Sequence, residues 1–241
     1  IGSKTNEYTR ATVADTTGLK NGTSTNATYT EKKNIEPLIV KRNEYILYNI
    51  RVYNEGDVDV YAAEITDYLP ENLEFVDGEF NRQYGWTANG QTVKTSYLSS
   101  SNGEDKKLKA FDKENDDGKG SGLDYKDLPI LCRVSDKTQS GKKLVNTAEI
   151  TKYEDEDGQE LPEDIDSTPE NKEEKNVEKR DEDDDDYEVV MVKDVDLALT
   201  KFITAVSSDD KIEDGEYLTP NKNIGSKTNE YTRATVADTT G

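Results

Sequence analysis

Apolar and polar residues alternate across 44–56, EYILYNIRVYNEG: Ile46, Tyr48, Ile50 and Val52 fall on one side, Leu47, Asn49 and Arg51 on the other. A period of two is that of a half-buried strand, and Asn54-Glu55-Gly56 supplies the turn that ends it. The same pattern recurs over 60–67, 73–76, 92–98, 128–134, 144–151 and 195–206, and helical periodicity is absent. Short strands separated by turn residues, with no crossover helices between them, predict an all-β fold, an antiparallel β-sandwich.

Residues 1–18 read IGSKTNEYTRATVADTTG, and residues 224–241 repeat that string letter for letter, an offset of 224 − 1 = 223 residues. That period is too long for a solenoid and suits a whole domain with its linker. The chain therefore reads as one module of a tandem array in circularly permuted register. Residues 1–34 are expected to be a polar insertion that contacts a neighbour, 35–152 the sandwich body and 153–187 an acidic linker or calcium loop. Residues 188–206 would hold a linker strand and the first strand of the following module, and 207–241 that module's insertion.

Composition narrows the partners. Lys and Arg number 31 against 52 Asp and Glu, a net charge of −21, which repels phosphate backbones and anionic membrane surfaces. Nucleic acid is not an expected partner, and no apolar run nears the roughly 20 residues of a membrane span. Divalent cations are the natural counter-ions, calcium first, because it takes several hard oxygen ligands. Asp155-x-Asp157-Gly158, followed by Asp164-x-Asp166 and Asn171, offers such ligands around a tight turn. The competing reading of this stretch, and of 181–186, is a solvated spacer extended by self-repulsion. The chain has no histidine and one cysteine, so a disulfide within it is excluded, and Cys132 shares an apolar face with Ile130 and Val134 as a core thiol. With no histidine, nucleophile elbow or phosphate loop, a multiple-turnover enzyme is not expected.

Three polar residues fall on apolar faces. Asp67 alternates with Ala63, Ile65 and Leu69, Asn146 with Leu144, Ala148 and Ile150, and Lys201 with Leu197, Leu199 and Ile203. An unpaired buried charge costs several kcal/mol, so three such groups on separate strands are best explained by mutual contact. A desolvated lysine loses its proton readily and becomes a nucleophile able to attack the Asn146 side-chain carbonyl. A protonated Asp67 would polarise that carbonyl and shuttle the proton, ammonia would leave, and a Lys–Asn isopeptide bond would remain. A buried Lys–Asp ion pair hydrogen-bonded to Asn146, with no covalent bond, satisfies the same pattern.

The stretches RVYNEGDVDVYAAEITDYLPENLEFV (51–76), KLVNTAEIT (143–151) and DLALTKFIT (196–204) resemble the immunoglobulin-like repeat domain of unknown function in giant Gram-positive, especially clostridial, surface proteins. The resemblance implies an immunoglobulin-like sandwich related to pilin and adhesin domains. In those domains a lysine of the first strand joins an asparagine of the last with an acidic residue assisting, a pattern that falls on Lys201, Asn146 and Asp67. The module order implied places Lys201 in the adjoining copy, bonded to the counterpart of Asn146 there. The expectation is an extracellular fibre or stalk on the cell surface, its partners being neighbouring copies of itself. Two alternatives are an adhesin, with Trp86, Tyr84, Tyr97 and Tyr125 as an aromatic platform for a host protein or glycan, and a pilus-like filament whose subunits exchange the 195–206 strand.

Overall fold

The computed structural model describes residues 14–29, 37–161 and 184–199. They run β1 (Ala14–Asp15), α1 (Thr17–Asn21), β2 (Thr28–Tyr29), β3 (Leu38–Val40), β4 (Tyr45–Asn54), β5 (Val60–Tyr68), β6 (Leu73–Phe75), α2 (Glu79–Arg82), β7 (Thr87–Asn89), β8 (Thr92–Thr95), β9 (Asp124–Val134), β10 (Lys143–Asp155), β11 (Glu160–Leu161) and β12 (Asp185–Val192). The chain divides into two compact units, 1–194 and 195–241.

The first unit is an all-β sandwich. One sheet has the order β3-β12-β10-β5-β8-β7, with β11 paired to β10, and the other is β4-β9-β6. The alternation read from the sequence decides what lies between them. From Leu128 on, every second residue of β9, Leu128, Ile130, Cys132 and Val134, is fully buried, in one cluster with Tyr48 and Val52 of β4 and Ile65, Val93, Leu144, Val190 and Val192 of the facing sheet. Cys132 is a core thiol as its neighbours imply, and burial pushes it well above the ordinary thiol range. Asn81 of α2 ties the rim to this layer: its amide donates to the carbonyls of Val76 and Leu131, both at 2.8 Å, and accepts from Leu131 N at 2.8 Å.

Three boundaries differ from expectation. The body does not stop at 152: β10 runs on to Asp155 and turns back through β11, pairing Tyr153 with Leu161. The acidic stretch is not all linker, because Asp185, Asp186 and Tyr187 open β12, which pairs with β10 from Glu149↔Asp185 to Lys143↔Met191. Val190 and Val192 then fill the core from that strand, so 188–192 belongs to this sandwich and is not a linker strand. Apolar burial accounts for the strand despite its acidic start. Nor is the fold wholly antiparallel, since β12 pairs in parallel with β3 (Val190↔Leu38, Val192↔Val40).

Residues 14–29 pack on their own sandwich. Thr16 Oγ1 donates to Asp116 at 2.7 Å and accepts from Gly120 N at 3.0 Å, Leu19 is buried, and Tyr29 stacks on Tyr53 at 5.2 Å. Asp116 also receives the backbone N–H groups of Gly118 and Gly122 at 2.8 and 3.0 Å. The chain leaves the sandwich through Lys193, whose N–H bonds the Val40 carbonyl at 2.9 Å, and Asp194, which Arg42 grips with Nε at 2.5 Å and a terminal nitrogen at 3.0 Å. In the second unit, residues 195–199 carry no regular structure, with Leu197 and Leu199 exposed. The rest of the expected 195–206 strand lies outside the described residues. Among the described residues no helix is long and apolar enough to cross a membrane.

Candidate functional site

Two of the three polar residues singled out by alternation meet in the core. Asp67 sits on β5 directly opposite Ala148 of β10, and Asn146 lies two residues along, the diagonal neighbour on the same face. Asn146 Nδ2 donates to Asp67 Oδ2 at 3.1 Å. Asp67 is 0% and Asn146 5% exposed. Their other oxygens, Asp67 Oδ1 and Asn146 Oδ1, are buried with no hydrogen-bond partner among the described residues. Burial pushes the Asp67 carboxyl up from its ordinary 3.8 to about 7, against a smaller lowering by the Asn146 hydrogen bond. A dry carboxyl that holds its proton to neutral pH can donate to a carbonyl, as amide activation requires. The third residue, Lys201, lies outside the described residues.

Asn146 stands on β10, with β12 after it in sequence and beside it in the sheet, so it is not on the last strand of the module. The strand beyond it was concealed by its acidic beginning. One consequence is chemical. Glu188 of β12 pairs directly with Asn146, and opposite residues of an antiparallel pair share a face. The amide is thus flanked by a carboxyl group on each neighbouring strand, Asp67 on β5 and Glu188 on β12. Glu188 is half-buried, and its Oε1 accepts from Val189 N at 3.0 Å.

Facing them from the other sheet is Tyr48 of β4, 9% exposed, whose hydroxyl has no partner among the described residues. Burial pushes this phenol well above its ordinary range, and the charges of Cys132, Asp67 and Glu188 add to the rise. The alternation over 44–56 places Tyr48 inward, and a buried phenol needs a partner. That was the available signal for it.

No family model matches the chain, and no curated protein matches it.

The outer face of the same strands is also buried, which alternation does not reveal. Glu149, expected to face away from the core, is 1% exposed and accepts from Tyr68 OH at 2.7 Å; beside it Thr66 and Thr151 exchange a hydrogen bond at 3.0 Å. Of the expected calcium ligands, Asp155 caps the β10–β11 turn, accepting from Asp157 N at 3.0 Å and Gln159 N at 2.8 Å, with Gly158 at φ 78°. Asp164, Asp166 and Asn171 lie outside the described residues, and no cluster of three metal-ligating carboxylates occurs among the described ones. The four aromatics do not form a platform. Trp86 is 2% exposed with its indole N–H on the Pro129 carbonyl at 2.9 Å, Tyr84 packs with Phe80 and Tyr97, and Tyr125 lies under the Arg51 guanidinium at 4.0 Å.

Proposed function

We propose that the chain is a structural repeat of an extracellular, surface-attached fibre or stalk, each sandwich clamped by a self-formed Lys–Asn isopeptide bond. The observation that carries this reading is the buried Asp67–Asn146 pair, with a carboxyl poised near neutrality and two oxygens lacking partners among the described residues. A lysine ammonium has three N–H donors and no acceptor, which complements such a group of oxygens. An ammonium proton passes to the Asp67 carboxylate, the neutral amine adds to the Asn146 amide carbon, and Asp67 gives a proton to the departing nitrogen and takes up the second proton of the attacking amine. One C–N bond forms, one breaks and ammonia leaves, a single turnover.

The amine would come from the strand that Lys201 represents in the adjoining copy. Among the described residues β4 is an edge strand of its sheet, and an edge presents the unpaired N–H and C=O groups that a further strand requires. The short strand β3 lying parallel to the last strand, with β4-β9-β6 facing them, supports an immunoglobulin-like assignment. The exact recurrence of 1–18 at 224–241 supports a tandem array over independent modules. The open edge equally suits a filament of separate subunits that donate this strand to one another. An adhesin loses its main support with the aromatic platform. Calcium at Asp155, Asp157, Asp164, Asp166 and Asn171 completes the reading as a stiffener of the joint.

Intact mass tests the clamp. A polypeptide of two consecutive copies should be lighter than its sequence by about 17 Da, one ammonia, for each bond formed. Lys201→Ala and Asn146→Ala should each restore the missing mass. Full sequence mass in the unsubstituted polypeptide would refute the bond.

A further inference from the structure

Three polar oxygens of the core are buried without partners among the described residues: Asp67 Oδ1 on β5, Asn146 Oδ1 on β10 and the Tyr48 hydroxyl on β4. They are not equivalent. Asn146 Oδ1 only accepts, whereas a neutral phenol also donates. Asn146 Nδ2 is already committed to Asp67 Oδ2 at 3.1 Å, which turns the amide so that its carbonyl oxygen is the end left over. Tyr48 projects from the opposite sheet into the same cluster as Leu144, Val190 and Cys132, the residues bracketing Asn146 along and across the core. It also senses the charges of both carboxyl groups that flank Asn146, Asp67 on one neighbouring strand and Glu188 on the other. A donor and an acceptor, each lacking a partner among the described residues, thus lie in one core, and leaving both unmade in a dry interior costs the desolvation of each.

We propose that the Tyr48 hydroxyl is the oxyanion donor of the self-crosslinking reaction, hydrogen-bonding the side-chain carbonyl oxygen of Asn146 as the lysine amine adds to its carbon. This rests on the isopeptide reading above. When the amine attacks, the carbonyl π pair moves onto Oδ1, and the Tyr48 O–H shares its proton with that oxygen without transferring it. The pair returns as the C–N bond to the amide nitrogen breaks and ammonia leaves with the proton relayed by Asp67. Tyr48 is suited to the part because the same burial that desolvates it keeps it protonated, so it serves as donor and not as base. The labour is divided: Asp67 moves the proton, and Tyr48 holds the developing charge.

The test follows bond formation in a two-copy polypeptide synthesised in a cell-free mixture, quenched at intervals and read by intact mass. Removing one preorganised oxyanion donor typically slows a reaction about 100- to 1000-fold, so Tyr48→Phe in the accepting copy should lose its ammonia about 100-fold more slowly or worse. The dependence of that rate on pH should keep the midpoint set by Asp67, since only the height of the profile falls. A substitution that merely loosened the core would also alter the environments of Asp67, Glu188 and Cys132 and shift the midpoint. Circular dichroism of Tyr48→Phe on a Lys201→Ala background should match the parent, fixing the fold as intact. Crosslinking of Tyr48→Phe at the parental rate, or slowing accompanied by a shifted midpoint, overturns the assignment while leaving the clamp standing. Absence of any mass loss in the parent overturns both.

Discussion

Asp67→Asn, on a Lys201→Ala background that removes the lysine, isolates the cost of keeping an acid in this core. The Asp67 carboxyl titrates near 7 in the fold and near 3.8 when exposed, so the folded state holds a proton that the unfolded chain releases between those values. Stability must then fall as pH rises through that window, because the native state binds more protons. At 1.36 kcal/mol for each pH unit the ionised fold is disfavoured by about 4 kcal/mol once both states are deprotonated, and more than half of this is lost between pH 5 and pH 8. The other perturbed carboxylates act with the opposite sign. Asp127, held by Arg51, and Glu74, with Ser135 and Arg133, are lowered. Their contribution is present above the ordinary carboxylate range and is lost only as pH falls through their still lower folded values, outside this window. Asparagine keeps an acceptor for Asn146 Nδ2 and cannot titrate. Urea unfolding at pH 5, 6, 7 and 8 should therefore show a declining free energy for Lys201→Ala alone and a nearly level one for the double variant. A level profile in the parent, or an undiminished slope after Asp67→Asn, would refute the reasoning.

Two further outcomes concern parts distant from the pair. Asp116→Ala strips the acceptor of the Thr16 hydroxyl and of the Gly118 and Gly122 N–H groups. It should cost on the order of 3 kcal/mol, and limited proteolysis should then cut within 14–29 before the sandwich unfolds; parental resistance there would show that the segment is held by other means. If calcium occupies the acidic stretch, adding it to chelated protein should raise the melting temperature, since a ligand of the native state stabilises it by mass action; identical melting with and without the ion would remove calcium from the reading.

Asp67 and Asn146 were legible because each interrupts an otherwise apolar face, and strand period needs no knowledge of the partner strand. Their meeting was inferred from the cost of burying each alone. What stayed hidden depended on pairing. β12 begins with Asp185 and Asp186 and carries Glu188 on the side of Val190 and Val192, so its alternation is broken until its neighbours are known. Leu38, Ile39 and Val40 form too short a run to stand out, and their parallel partner lies about 150 residues downstream. Glu149 shows a second limit. Parity assigns a side chain to a face, but whether that face is wet is a property of whatever lies over it. Trp86 shows the reverse: its buried indole N–H reaches a backbone carbonyl no sequence pattern announces.

Because β3 and β12 run side by side in the same direction, their load-bearing geometry is fixed. A pull that enters ahead of Leu38 and leaves beyond Asp194 draws the two strands past each other from opposite ends. Their cross-links of N–H and C=O are then stretched together instead of opening one at a time like a zip. Arg42, anchored a few residues past β3, ties that exit to the strand that must slide. With no covalent bond at all, this end of the sandwich would still yield in shear.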